Sequence, residues 1–301
     1  MKVIVTGGVG FVGTNLIKRL LKDGNEVVSL DNYSTGKKEN EQDGCKYIDV
    51  DISDSLRRHK GFGLEQYKLE KPDLIFHLGA LARIQPSLKK PASTITNNFM
   101  GTLNVLDYAR ENNIPVVYAG SSTFHHGLWG SPYAWSKHSG EQLCKLYSTI
   151  YDLPTAICRF YNVYGEYQLE DGAYATVVGI FQKLYREGKP LTVTGDGEQR
   201  RDFTHIEDIV DGLVKCGNSL LIPNAYNAKV SGQTFELGRG ENFSINELTE
   251  MFGETDVEYI PARDGEYDYT LANSSKAKEL LGWNPTLDIS DYISEVIDDK
   301  S

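Results

Sequence analysis

The stretch that most constrains this chain is its start, MKVIVTGGVGFVG. Val3-Ile4-Val5 is an apolar run suited to a buried parallel strand, and Thr6-Gly7-Gly8 breaks it. Gly10 and Gly13 follow at three-residue spacing, and from Phe11 apolar residues recur at helical steps through Val12, Leu16, Ile17, Leu20 and Leu21. Strand, glycine turn and helix in that order hold a pyrophosphate. Gly7 permits the tight turn, Gly10 lets backbone approach a phosphate, and Gly13 lets helix pack on strand. The helix start adds free N–H groups and the positive end of its dipole. A second strand, Val27-Val28-Ser29-Leu30, ends in Asp31. An acid about twenty residues after the glycines suits a hydrogen bond to a ribose 2′-hydroxyl.

The alternation continues. Strands are predicted over 2–6, 26–30, 45–50, 73–78, 115–120 and 155–160, with helices from 11 to about 23 and over 56–69, 92–111 and 133–151. Beyond that, helices are predicted over 173–187, 206–216, 246–251 and 274–281, with strands over 190–193, 225–227 and 234–237; the acidic last residues are expected to fray. The fold class is therefore α/β: a Rossmann-type doubly wound parallel sheet with a smaller C-terminal α/β substrate domain. The break at 161–172 divides the chain into a nucleotide-binding part, 1–162, and a substrate part, 163–301, with 200–217 able to return to the first. Ligands of such sheets bind at the carboxyl ends of the strands.

At 301 residues the chain has ample material for a core, and its net charge of −11 argues against nucleic acid or an anionic membrane as the partner. An anionic small molecule held by local arginines remains compatible. No segment reaches the run of about 18 apolar residues that a membrane span needs. The first residues are already core strand, so no signal peptide is expected. Cys45, Cys144, Cys158 and Cys216 are scattered without metal-ligand spacing, which fits free thiols in a cytoplasmic protein and no metal site.

Ser122, Tyr133 and Lys137 carry the chemistry. Tyr133 and Lys137 are four residues apart at a helix start and share a face. A nearby ammonium and a cationic nicotinamide favour the phenolate, which lowers the tyrosine's pKa from its ordinary ~10 and lets it take a proton from a sugar hydroxyl. Ser122, at the end of the fifth strand, can bond the same oxygen.

Together TGGVGFVG, DNYSTG, DVDIS, HLGALA, NNFMGT, AGSST, SPYAWSK, RFYNVYG, GDGEQRRDFTHIEDI and the PARDGE…NSSKAKELLGW tail make the chain resemble the extended short-chain dehydrogenases/reductases, and within them the nucleotide-sugar epimerase/dehydratase family. The resemblance implies NAD as cofactor. It places Gly7, Gly10, Phe11 and Val12 at the pyrophosphate, and Asp31, Asn32, Ser34, Thr35 and Gly36 around the adenosine ribose. Asp51 and Ile52 match the adenine contacts. Leu78, Gly79, Ala80, Ala82 and Asn97 match the cofactor's central part, and Tyr161 the residue near the nicotinamide, beside Tyr133 and Lys137. It implies Ser122 and Asn162 as substrate contacts, and Arg201 and Arg263 as the clamp on a nucleotide diphosphate, UDP-linked by that likeness.

The 4,6-dehydratases of this family carry an Asp-Glu pair after the active-site hydroxyl residue, and its decarboxylases a nearby glutamate; here Thr123-Phe124-His125 follow Ser122. The expected reaction is therefore C4 epimerisation of a nucleotide-diphosphate sugar, a UDP-hexose or UDP-N-acetylhexosamine. The alternatives are an NAD(H)-dependent reductase or oxidase of a nucleotide-linked 4-keto sugar, then a 4,6-dehydratase, then a non-catalytic NAD-binding protein. The turn from His125 to Ser131 is about ten residues shorter than the family's, and His125 and His126 are read either as its polar filling or as sugar contacts. Thr270 stands where some epimerases carry a bulky tyrosine, which leaves room for an acetamido group. The resemblance also implies a homodimer through helices 92–111 and 133–151, with Tyr108, Tyr147 and Tyr151 as candidate face residues.

Overall fold

Val3 and Val5 point to one apolar cluster and Ile4 to another, so strand β1 (Lys2–Thr6) is buried on both faces. A computed structural model describes residues 1–54, 70–222, 229–263, 265 and 267–298. After β1 come α1 (Phe11–Lys22), β2 (Glu26–Asp31), β3 (Cys45–Asp49) and β4 (Leu74–His77). Next are α2 (Ile84–Lys89), α3 (Pro91–Ile95), a wide π-helical turn (Thr96–Met100) and α4 (Gly101–Asn112). Then β5 (Val116–Ser121) leads through a 3-10 turn (Ser122–His126) to α5 (Pro132–Tyr151) and β6 (Thr155–Phe160). The chain continues through β7 (Val163–Tyr164), α6 (Val177–Arg186), β8 (Leu191–Thr194), β9 (Arg200–Arg201), β10 (Thr204–His205) and α7 (Ile206–Leu221). It ends with β11 (Gln233–Leu237), β12 (Phe243–Ser244), α8 (Ile245–Glu250), β13 (Val257–Ile260), α9 (Ser275–Leu281) and α10 (Ile289–Asp298).

The main sheet has seven strands in the order β11-β6-β5-β4-β1-β2-β3, and every pairing is parallel. The order reverses between β1 and β4, the switch point that leaves a crevice at the strands' carboxyl ends. Residues of α1, α7 and α9 bury against one face with Val3, Leu74 and Phe235. Residues of α4 and α5 bury against the other with Ile4, Ile75 and Ile157. A third cluster, around Phe181, Phe203, Leu248 and Ile293, is the core of the smaller C-terminal part. The seventh strand, β11, returns from beyond residue 200, and α7 packs beside β6, so the sheet recruits chain from both sides of the 162/163 division.

Two glycines are required where the sequence places them. Gly7 has φ +73°, and a Cβ there would lie 2.8 Å from the Gly79 Cα. A Cβ on Gly13 would lie well inside contact distance of the Gly7 carbonyl, which is how closely α1 sits on β1.

Two expectations change. The helix expected over 92–111 is present, but it widens into a π turn over Thr96–Met100. Its buried side there is polar: Thr94, Asn98 and Thr102. Asn98 clamps the loop after β4 through Leu81, whose N–H donates to Oδ1 at 2.8 Å, and its amide donates to Ser136 on α5. A wider turn keeps those groups and the apolar Val105 and Leu106 inward together. The helix expected over 173–187 starts only at Val177, capped by Thr176, and 173–176 instead border the crevice. The last residues, expected to fray, lie outside the described residues from 299 on; before them helix α10 buries Ile289, Ile293 and Val296 in the third cluster. The predicted helix over 56–69 and strand over 225–227 lie outside the described residues.

Candidate active site

The carboxyl ends of β1, β2, β4, β5 and β6 open onto one cavity of about 1090 Å³. At one end lie the glycine turn and the start of α1, with Gly7, Gly10, Phe11 and Val12 on the wall. Gly10 occupies the position before the helix with no side chain to cap it. Asp31 ends β2 beside this turn; its Oδ2 accepts from the Val9 N–H at 3.1 Å and its Oδ1 from the Tyr33 N–H at 2.8 Å. Burial pushes its pKa up, and those N–H groups oppose the shift. Asn32, Ser34, Thr35 and Gly36 continue the wall, followed by Ile52, Leu78, Gly79, Ala80, Ala82 and Asn97. Uncapped helix, bare glycine turn and oriented carboxylate fit a dinucleotide's pyrophosphate and ribose. Asp51 does not join them. Its Oδ1 accepts from the Ser53 N–H and hydroxyl at 2.8 and 2.7 Å, and it closes the turn after β3.

Tyr133 stands where the cavity passes from this end to the other. Pro132 and Ser131 set it there: the Ser131 hydroxyl accepts from the Ala134 N–H at 3.1 Å and starts the 20-residue α5. The Tyr133 hydroxyl lies 3.4 Å from Ser121 Oγ. Ser121 is the residue that sequence reasoning passed over. Ser122, one place on, shares the cavity wall, but Ser121 is the hydroxyl within reach of the phenol. The pattern that selects Ser122 holds for Ser121 equally, since Ser121 ends the fifth strand and Ser122 follows it. Ser121 also accepts from the Thr123 N–H and hydroxyl, at 3.3 and 3.0 Å.

The electrostatics differ from the expectation. Burial pushes the Tyr133 pKa up in the ligand-free protein; the Ser121 hydrogen bond and the Arg83 guanidinium oppose it. Lys137, one turn further along α5, is almost fully buried with Nζ 4.4 Å from the centre of the Tyr118 ring, and the cation acting on Tyr133 is Arg83 rather than Lys137. Desolvation brings the Lys137 pKa down to about 8, while Glu141 pulls the other way.

Tyr161 is fully buried and is not on the cavity wall; Phe160, which precedes it at the end of β6, takes that place. Tyr161 packs near the His125 ring at 6.3 Å between centroids. His125 itself turns away from the cavity, with Nε2 2.7 Å from Glu236 Oε1 on β11. Phe124 is stacked on His138 and faces the Arg159 guanidinium at 3.4 Å. Arg159 in turn grips Glu141 through Nη2 at 2.7 Å and Nε at 3.0 Å, both side chains buried. The short turn is thus fastened to β6, β11 and α5.

At the other end, Arg201, Arg263, Asn162 and Thr270 line the wall. Asn162 has φ +26° and donates through Nδ2 to the Asp202 carbonyl at 3.0 Å and the Thr270 hydroxyl at 2.9 Å. That leaves Oδ1 as the atom for a ligand. Thr270 is more than a small gate residue: its hydroxyl also accepts from the Asp202 N–H at 3.1 Å. Asp202 is fully buried and gathers the Arg239, Gly240 and Ala272 N–H groups, each at 2.9 Å. It holds together β9, which carries Arg201, and the segment that carries Thr270, and the RRDF run gives no sign of that role beyond its position after the glycine turn.

Residues 3–228 match the model of the NAD dependent epimerase/dehydratase family. The chain is 31% identical to the UDP-glucose 4-epimerase of Mycolicibacterium smegmatis, covering 99% of this chain and 98% of that protein. Its fold is similar to that of Thermotoga maritima UDP-glucose 4-epimerase with UDP-glucose, with a TM-score of 0.88 at 26% identity over 99% of this chain and 98% of that one. It is also similar to Thermus thermophilus UDP-glucose 4-epimerase in complex with NAD, with a TM-score of 0.85 at 26% identity over 100% and 99% of the two chains.

Proposed function

Within the NAD-dependent epimerase/dehydratase family, to which this chain belongs, we propose that it is the C4 epimerase of a UDP-linked hexose or N-acetylhexosamine. The observation that carries this reading is Tyr133, paired with the Ser121 hydroxyl between a dinucleotide-shaped end of the cavity and an arginine-lined end. We assign cofactor binding to residues 1–162, with 200–217 packed back on them, and sugar-nucleotide binding mainly to 163–301.

When bound, NAD supplies the hydride acceptor at C4 and returns the hydride. The chain's own residues do the rest. Tyr133 removes the O4 proton and gives it back to the epimer. The Ser121 and Ser122 hydroxyls donate to the same oxygen as it becomes a carbonyl and back. Asn162 Oδ1 accepts from a sugar hydroxyl, and Arg201 with Arg263 pairs with the diphosphate. Lys137 fixes the cofactor's ribose.

Elimination needs an acid beside the reacting hydroxyl. The positions after Ser122 are Thr123, bonded to Ser121, and Phe124, turned onto Arg159 and His138. This favours epimerisation over dehydration. Thr270 beside Asn162 supports room for an acetamido group.

A homodimer is part of the same reading. Leu146 and Ile150 on α5 are 50% and 61% exposed and border a shallow depression with Phe99 and Leu143. Tyr147 is buried and bonded to Asp107 at 2.6 Å, so the pairing face lies on these aliphatic residues rather than on Tyr147. Cys45, Cys144, Cys158 and Cys216 are unlinked, which suits the cytoplasm.

The test is incubation of the purified protein with UDP-glucose, UDP-galactose and their N-acetylated forms, separately, without added cofactor and with NMR readout. Interconversion at C4 with no net NADH is expected. Net NADH formation on added NAD⁺, without an epimer, would replace this reading with the oxidoreductase one.

A further inference from the structure

The Tyr133 end of the cavity holds a guanidinium that no motif singled out. Arg83 lies in the loop between β4 and α2 and lines the cavity. Its Nε donates to the Tyr174 carbonyl at 3.0 Å. That bond occupies one of five N–H donors and fixes the stem, and the rest of the fork remains for other partners. The ionisable groups acting on it are the phenols of Tyr133 and Tyr174, and its side chain is half-buried in the cavity wall. Among the described residues, no carboxylate lies within ion-pair distance of it. A half-buried arginine keeps its proton, and the free donors of its fork can pair with an anionic group of a ligand in the cavity.

The rest of the cavity indicates which ligand group that is. Asp31 is the carboxylate among the described lining residues, and it sits at the ribose end with both oxygens on backbone N–H groups. The lining cations are Arg83, Lys89, Lys90, Arg201 and Arg263. The start of α1 takes the cofactor's pyrophosphate, and Arg201 with Arg263 takes the nucleotide's. Lys89 and Lys90 are exposed, which leaves Arg83 as the part-buried cation beside Tyr133, where the reading above puts C4 of the sugar. The ring carbon next to C4 is C5, which carries C6.

We propose that Arg83 is a specificity-determining residue that pairs with a carboxylate at C6, so that the preferred sugar is a nucleotide-linked hexuronic acid. This rests on the placement of C4 at Tyr133 and deepens that reading by naming the substituent at C6. A planar fork suits a carboxylate, which it can bind through two parallel hydrogen bonds.

The test is binding, not turnover. Calorimetric titrations of the NAD-loaded Tyr133→Phe protein with UDP, UDP-glucose and UDP-glucuronate are compared with the same titrations after Arg83→Gln and Arg83→Lys. Tyr133→Phe alone is expected to bind UDP-glucuronate at least about tenfold more tightly than UDP-glucose. Arg83→Gln is expected to erase that preference while leaving UDP and UDP-glucose within about twofold, and Arg83→Lys to keep part of it. Equal affinity for the two sugars before any change at Arg83 overturns the proposal, and this comparison does not depend on the Arg83 variants folding. A loss on Arg83→Gln that is as large for UDP as for UDP-glucuronate overturns it too, since Arg83 then pairs with a phosphate. The C4-epimerase reading stands or falls separately, on interconversion by the unaltered enzyme.

Discussion

A single hydrogen bond separates two otherwise equivalent serines. Ser121 reaches the Tyr133 phenol and holds its pKa down against burial; Ser122 shares the wall. Activity that needs the phenolate rises with pH through the Tyr133 pKa. Ser121→Ala is therefore expected to move the acid limb of the kcat/KM profile to higher pH, with a loss of about tenfold or more near neutrality. Ser122→Ala is expected to lower kcat without moving that limb. A pH profile of both variants checks this, and a limb that moves for Ser122→Ala alone would reverse the two roles. Lys137 adds a second test. Its pKa falls to about 8 from an ordinary 10.5 because burial disfavours the ammonium. The native state carries that cost in full below about pH 8. Between there and 10.5 the unfolded chain binds the extra proton, so stability rises with pH. Lys137→Met is thus expected to be inactive yet more stable at pH 7, by about 1–3 kcal/mol, with the gap narrowing by pH 9.5. Urea midpoints at the two pH values measure the gap, and an unchanged gap would show that Lys137 is not held in this way.

The elements that place these side chains were legible to different degrees. The glycine turn, Asp31 and the pair on α5 could be read from sequence because each depends on local chemistry: a positive φ, a strand end, a helical spacing. What could not be read depends on long-range partners. The π turn follows from Asn98 reaching Leu81 and Ser136, and no periodicity shows that. Tyr161 was placed at the cofactor, but it is Phe160 that faces the cavity from the end of β6. His125 allows two readings in the sequence because its partner, Glu236, is more than a hundred residues away. The fastening of the short turn makes its own expectation. Arg159→Ala leaves Glu141 buried without its cation, and a loss of about 3–5 kcal/mol in urea unfolding should follow. A loss under about 1 kcal/mol would mean that the pair does not hold this turn. On α5, Leu146→Asp with Ile150→Asp is expected to convert a dimer to a monomer in sedimentation; a wild type already monomeric would remove the dimer from the account.

At the scale of the molecule, one seven-stranded sheet and a smaller C-terminal core enclose one cavity, whose glycine-turn end we assign to NAD and whose arginine-lined end to a sugar nucleotide. Because NAD binds only the folded state, stripping it should lower the melting temperature, and restoring it at about 100 times Kd should return about 2.7 kcal/mol. The central claim is that hydride leaves C4 and comes back to C4 within one closed site. The direct measurement is turnover of a UDP-hexose deuterated at C4 by the unsupplemented enzyme, with deuterium NMR of both sugars. Deuterium kept at C4 in substrate and epimer alike is the expected result. Deuterium at C6, in released NADH, or lost to solvent would contradict the account and point to elimination or to net oxidation instead.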